Sequence, residues 1–185
     1  EKACAPAMYF AQRNAFVIIN VAVGEKAIVE YALRMKDAGT DIHTIVETLN
    51  HEKENLRVIA LLDTLEYLQK GGRISKTVAI AGSLLSIKPV VSVVDGEVVL
   101  LGKARGSRQG NNFLIQQIQK DGIDFSRPFF LGYTGLSDAL LQKYISDSAE
   151  IWKEHVDHLP IGTIGGAIGT HVGPGAIAVA FFTEK

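Results

Sequence analysis

The sequence is poor in cysteine: Cys4 is the only one in 185 residues. No intrachain disulfide can form and no cysteine-based metal cluster is available, which points to a reducing compartment and a cytoplasmic protein. An excess of either charge is also missing. With 19 basic and 20 acidic residues the formal net charge is −1, so no broad electrostatic footprint for nucleic acid or an anionic membrane is expected. No uninterrupted apolar run reaches the roughly 18 to 20 residues that a membrane span needs. The start at Glu1 has none of the basic, apolar and small-residue regions of a signal peptide, and it falls in mid-pattern, as a piece of something longer would.

The signatures of several enzyme classes are lacking too. The glycines around Lys103 do not have the spacing of a phosphate-binding P-loop. "GTIGGAIG", residues 162–169, departs from G-x-G-x-x-G, and no acidic residue follows it in a βαβ unit to take a ribose. No G-x-S-x-G elbow presents a serine nucleophile, and His155 and His158 do not make an H-E-x-x-H pair. Neither a cofactor nor a metal is expected.

What is present is enough apolar material for a core, with 47% of residues hydrophobic. "AFVII", residues 15–19, reads as a short buried strand. From Glu25 the spacing becomes that of a helix, with Ile28, Tyr31, Ala32 and Met35 on one stripe and Gly39 as its C-cap. Asp41 is placed to cap a second helix whose stripe is Ile42, Ile45, Val46 and Leu49. "LRVIALL", residues 56–62, is another apolar strand. Unbroken apolar runs mark strands buried on both faces, so residues 1–78 are expected to form an α/β domain with a parallel-sheet layer, incomplete in this chain.

Beyond a boundary placed at residues 75–82 the texture changes. "KPVVSVVDGEVVLL" has two β-rich runs about Asp95-Gly96, a dipeptide favoured in two-residue hairpin turns. A helical segment at residues 112–120, the strand "PFFLGYT", and a helix carrying Leu136, Leu140, Leu141 and Tyr144 follow. Residues 79–185 are therefore expected to form an α+β domain with antiparallel hairpins.

Three stretches carry candidate chemistry. In "DTLEYLQKGGRIS", Asp63 can cap a short helix, Gly71-Gly72 end it, and Arg73 projects from the turn. A guanidinium donates two parallel charge-assisted hydrogen bonds to a carboxylate or phosphate; a structural carboxylate such as Glu66 is the alternative partner. "LGKARGSRQG" holds Lys103, Arg105 and Arg108, which read either as a solvated basic loop or as a loop that docks an acidic surface or holds phosphate. In "IGTHVGPGAIAVAF", His171 lies among Gly169, Thr170 and Gly173, on backbone that another molecule can approach closely. It is either a structural histidine or a polar contact to a ligand. As an enzyme the chain would be a small α/β hydrolase or transferase with His171 as general base beside an Asp or Ser.

The stretches "LDTLEYLQKGGRIS", "GSLLSIKPVVSVVDGEV", "GKARG" and "IGTHVGPGAIAVAF" occur in that order, over about two thirds of the chain. Together they resemble the DegV family of bacterial fatty-acid-binding proteins, the lipid-carrying subunits of fatty acid kinase. The resemblance implies a non-catalytic, two-domain protein with one long-chain fatty acid in an apolar tunnel between the domains. It implies that Arg73 and His171 hold the carboxylate, with Gly72, Gly169, Thr170 and Gly173 as ligand contacts or close-approach positions. It also implies that Lys103 and Arg105 meet the kinase partner or a phosphate, the ATP site belonging to that partner. The family's early aspartate-serine and serine-glycine-threonine segments do not appear in residues 1–16, and "VIIN" stands where "V-I-D-S" is usual. The chain is therefore expected to be a fragment lacking most of the first sheet.

Overall fold

The computed structural model of the protein describes residues 23–74 and 87–184. The strand expected at residues 15–19 and the boundary expected at 75–82 lie outside the described residues. Helix α1 (Val23–Asp37) buries Val23, Gly24, Ala27, Ile28 and Ala32 at the three- and four-residue spacing of one helix face. Gly39 follows it at φ 82°, a left-handed position that costs glycine nothing. Helix α2 (Ile42–Glu52) starts at Asp41, whose Oδ1 accepts from the His43 and Thr44 N–H groups at 2.9 and 3.1 Å. The Thr44 hydroxyl and these backbone donors hold the Asp41 carboxyl below its usual range. Ile45 and Leu49 face inward, whereas Ile42, in the first turn, is exposed.

Among the described residues six strands form one mixed sheet: β1 (Leu56–Leu61), β2 (Ile87–Val94), β3 (Glu97–Arg105), β4 (Phe130–Tyr133), β5 (Ile161–Thr163) and β6 (Ile177–Phe182), in the order β3-β2-β1-β6-β4-β5. Only β4 and β5 run parallel. β1 pairs antiparallel with β2 on one side and β6 on the other, where its apolar run had pointed to a parallel layer. Such a run records burial on both faces and says nothing about the direction of its neighbours. The sheet thus joins β1, from before residue 78, to five strands from after residue 79.

The β2–β3 hairpin turns at Asp95 and Gly96, with φ 50° and 81°. Positive φ at both central residues is the twist-matched turn that Asp-Gly favours. Helix α3 (Glu66–Lys70) follows β1, and α4 (Gly106–Asp121) follows β3. Because α4 begins at Gly106, the basic stretch is the end of a strand and the first turn of a helix, not a loop. Helices α5 (Ala139–Asp147) and α6 (Ala149–Trp152) link β4 to β5, and α7 (Gly166–Val172) links β5 to β6. Leu136, expected on α5, stands ahead of it and is fully exposed.

β6 is buried along its whole length, and its period-two alternation divides the core. Ile177, Val179 and Phe181 pack with Leu114 and Ile118 of α4, Tyr144 of α5 and Trp152 of α6. Ala178, Ala180 and Phe182 pack on the opposite face with α1 and α2. Helices therefore cover both faces of the sheet.

Candidate functional site

On the face that carries Ala178 and Ala180, two clusters sit side by side. One joins α1 and α2 to Leu56, Phe130 and Phe182. The other joins Leu62, Leu65 and Leu68 to Val91 and Ala176, with Val172 of α7 against them. A cavity of about 310 Å³ lies where the clusters meet, and its walls come from both. Val58, Ala60, Val91, Val93 and Ala178 supply its sheet side. Alternation in the strands explains the space: Ile177, Val179 and Phe181 fill one face, while alanines at 60, 176 and 178 leave the other unfilled.

Among the described residues, three on the wall carry polar side chains, Arg73, Ser92 and His171. Ser92 is satisfied by the sheet itself, its hydroxyl donating to the Val58 carbonyl at 2.9 Å. Arg73 follows the α3 C-terminus, where Gly72 takes φ 68° and the Arg73 N–H donates to the Leu68 carbonyl at 2.8 Å. Its Nη1 donates to the Gly71 carbonyl at 2.6 Å, which leaves other guanidinium donors for a ligand. Glu66, the alternative partner, instead meets Lys70 at 2.6 Å. That hydrogen bond and the Glu66 charge raise the Lys70 pKa above the usual ammonium value. Asp63 does not cap α3; it pairs with Lys88 at 2.5 Å.

His171 occupies the last turn of α7, against α3. A Cβ on Gly71 would overlap His171 Nδ1, with Cε1 only 3.0 Å away. The fit is reciprocal, since a Cβ on Gly173 would overlap the Tyr67 ring. The two short helices thus interlock through glycines, and the imidazole is brought to the cavity wall. Its Nδ1 is buried and has no hydrogen-bond partner among the described residues. Among the described residues no carboxylate or hydroxyl orients that nitrogen, as the base of a nucleophile–base–orienter triad would require.

The remaining candidates lie elsewhere. Gly72 and Gly169 have open space where a Cβ would go, and the exposed Thr170 donates its hydroxyl to the Ala167 carbonyl at 3.0 Å. Gly173, at φ 78°, makes its close approach to Tyr67. Lys103 and Arg105 stand on β3 opposite Pro89 and Ile87, away from the cavity walls. Among the described residues no three His, Cys, Asp or Glu side chains are grouped to hold a metal, and no helix is long and apolar enough to cross a membrane. Two features of the site are not apparent from the sequence pattern alone: Gly71, part of a helix stop, also makes room for the His171 ring, and the large–small alternation of "AIAVAF" places Ala176 and Ala178 on the cavity wall.

Residues 15–184 match the family model for uncharacterised proteins of the DegV family, and the chain belongs to that family. A DegV domain-containing protein of Caldanaerobacter subterraneus is 33% identical over 164 residues, which cover 88% of this chain and 57% of the relative. Among solved structures, the fatty-acid-binding DegV family protein of Streptococcus agalactiae is similar at 27% identity and a TM-score of 0.69, covering 87% of this chain and 56% of that one. The fatty acid kinase B3 protein of Streptococcus pneumoniae, loaded with linoleic acid, is similar at 21% identity and a TM-score of 0.75, covering 85% and 55%. The chain spans little more than half the length of these proteins, the largest share being 57%.

Proposed function

We propose that the protein binds one long-chain fatty acid in the cavity between the helix clusters and presents its carboxylate to a separate, ATP-dependent kinase that forms the acyl phosphate. The observation that carries this reading is the wall chemistry: an aliphatic cavity on which, among the described residues, Arg73 and His171 are the polar side chains not already satisfied by the sheet. Family membership and the fatty-acid-binding relative from Streptococcus agalactiae support it. The tail is held by burial, worth about 0.8 kcal/mol per methylene. An ionised carboxylate is costly to take out of water without charged or hydrogen-bonding partners. Arg73 supplies the charge and His171 a ring N–H.

The walls draw on both sides of the boundary expected near residue 78, with Val58, Ala60 and Leu68 on one side and Val91, Ile164 and Ala178 on the other. In this reading the protein is a cytoplasmic carrier rather than an enzyme, Lys103 and Arg105 meet the kinase, and the resemblance to the fatty acid kinase B3 protein supports that partner class. Mass spectrometry of an organic extract from the purified, denatured protein tests the proposal, with an unrelated protein from the same host as control. A stoichiometric long-chain fatty acid supports it. An extract that matches the control, together with no retention of added stearic acid, refutes it for this chain.

A further inference from the structure

Thr134 directly follows β4 and is 3% exposed. All four of its hydrogen-bonding groups engage one short turn. The hydroxyl donates to the Gly173 carbonyl at 2.6 Å and accepts from the Ala176 N–H at 2.9 Å. The Thr134 N–H donates to the Ala176 carbonyl at 3.0 Å, and its own carbonyl accepts from the Gly175 N–H at 3.2 Å. That turn, residues 173–176, starts two positions after His171. Gly173 also closes α7, its N–H donating to the Gly169 carbonyl at 2.8 Å. The imidazole is therefore fixed from two directions: Gly71 bounds the ring on the α3 side, and Thr134 anchors the backbone that leaves the helix.

We infer that Thr134 is the positioning residue for His171, acting through the turn at residues 173–176. Gly173 and Ala176 are both buried. A side chain of threonine's shape without its hydroxyl leaves the Gly173 carbonyl and the Ala176 N–H without that partner, and buried main-chain groups do not stay unpaired. The turn must shift to find other partners, and His171 shifts with it. The inference rests on the fatty-acid reading only for what His171 then contacts.

The test compares wild type, Thr134→Val and Thr134→Ser as full chains. The readouts are the NMR resonance and titration midpoint of the His171 Cε1 proton, and affinity for stearic acid and for methyl stearate, which lacks the ionised head. For Thr134→Val we expect a displaced His171 resonance, stearic acid binding weaker by about tenfold, and methyl stearate binding within about twofold of wild type. Thr134→Ser, which keeps the hydroxyl, should match wild type in all of them. A His171 resonance unmoved in Thr134→Val overturns the inference, and so does a Thr134→Ser protein that has lost the wild-type resonance. The serine variant decides the matter if the valine variant does not fold. Wild type that binds neither probe removes the fatty-acid reading, while the resonances still judge Thr134.

Discussion

Gly71→Ala separates the stability of the fold from the placement of His171. Gly71 has φ −76° and ψ −3°, a right-handed conformation open to any residue. On backbone grounds alone alanine should gain about 0.4–1 kcal/mol by restricting the unfolded chain. The added Cβ, however, overlaps His171 Nδ1 and comes within 3.2 Å of the Tyr67 carbonyl, and overpacking of this kind costs about 1–3 kcal/mol. The imidazole turns on two side-chain bonds and yields before the backbone does, so the net loss of stability should stay below about 2.5 kcal/mol. Ligand binding should suffer more. A hydrogen bond to a charged group is worth about 1.5–3 kcal/mol, so a ring moved out of reach of a carboxylate weakens stearic acid binding by about 10- to 150-fold. Thermal unfolding measures the first effect and direct binding the second. A double-mutant cycle with His171→Ala links them, because Gly71→Ala should cost no further affinity once the ring is gone. Wild-type affinity in the single variant, or the same loss in both backgrounds, would refute the reasoning.

Arg73→Ala should weaken fatty-acid retention by about tenfold or more, the value of a charge-assisted hydrogen bond. Lys36→Ala, on the exposed end of α1, should leave retention unchanged, and equal effects in a lipid-retention assay would remove Arg73 from the site. Arg105→Ala should lower acyl phosphate formation with the kinase while bound lipid stays within about twofold of wild type, as expected for a side chain that affects encounter rather than the pocket. Loss of lipid from that variant would place Arg105 in the ligand site instead.

Much of the local structure was legible because it is set by neighbours in the chain. Asp41 caps α2 through donors two and three residues on, and Gly39 ends α1 at φ 82°. Asp95-Gly96 makes the hairpin because only those two residues must accept positive φ. The pairing of β1 was not legible, since its partners come from residues 90–92 and 177–182 and their direction leaves no trace in an apolar run. The start of α4 was missed because "GSRQG" is rich in residues that also suit loops, while tertiary packing buries Gly110 against Leu61.

The site divides in the same way. Sequence by itself determined which groups are available: an arginine after a double glycine, a histidine among glycines, and strands of alternating large and small residues. Those are matters of side-chain chemistry and backbone freedom, which act over a few residues. Only the tertiary structure decided that Arg73 and His171 line one cavity while Lys103 and Arg105 stand apart on β3. It also decided that Gly71 makes room for the imidazole and that Thr134, 37 positions earlier in the chain, secures the turn behind it. Close approach and hydrogen bonding act across space, and the sheet order that brings β1, β4 and β6 together is what joins these distant residues.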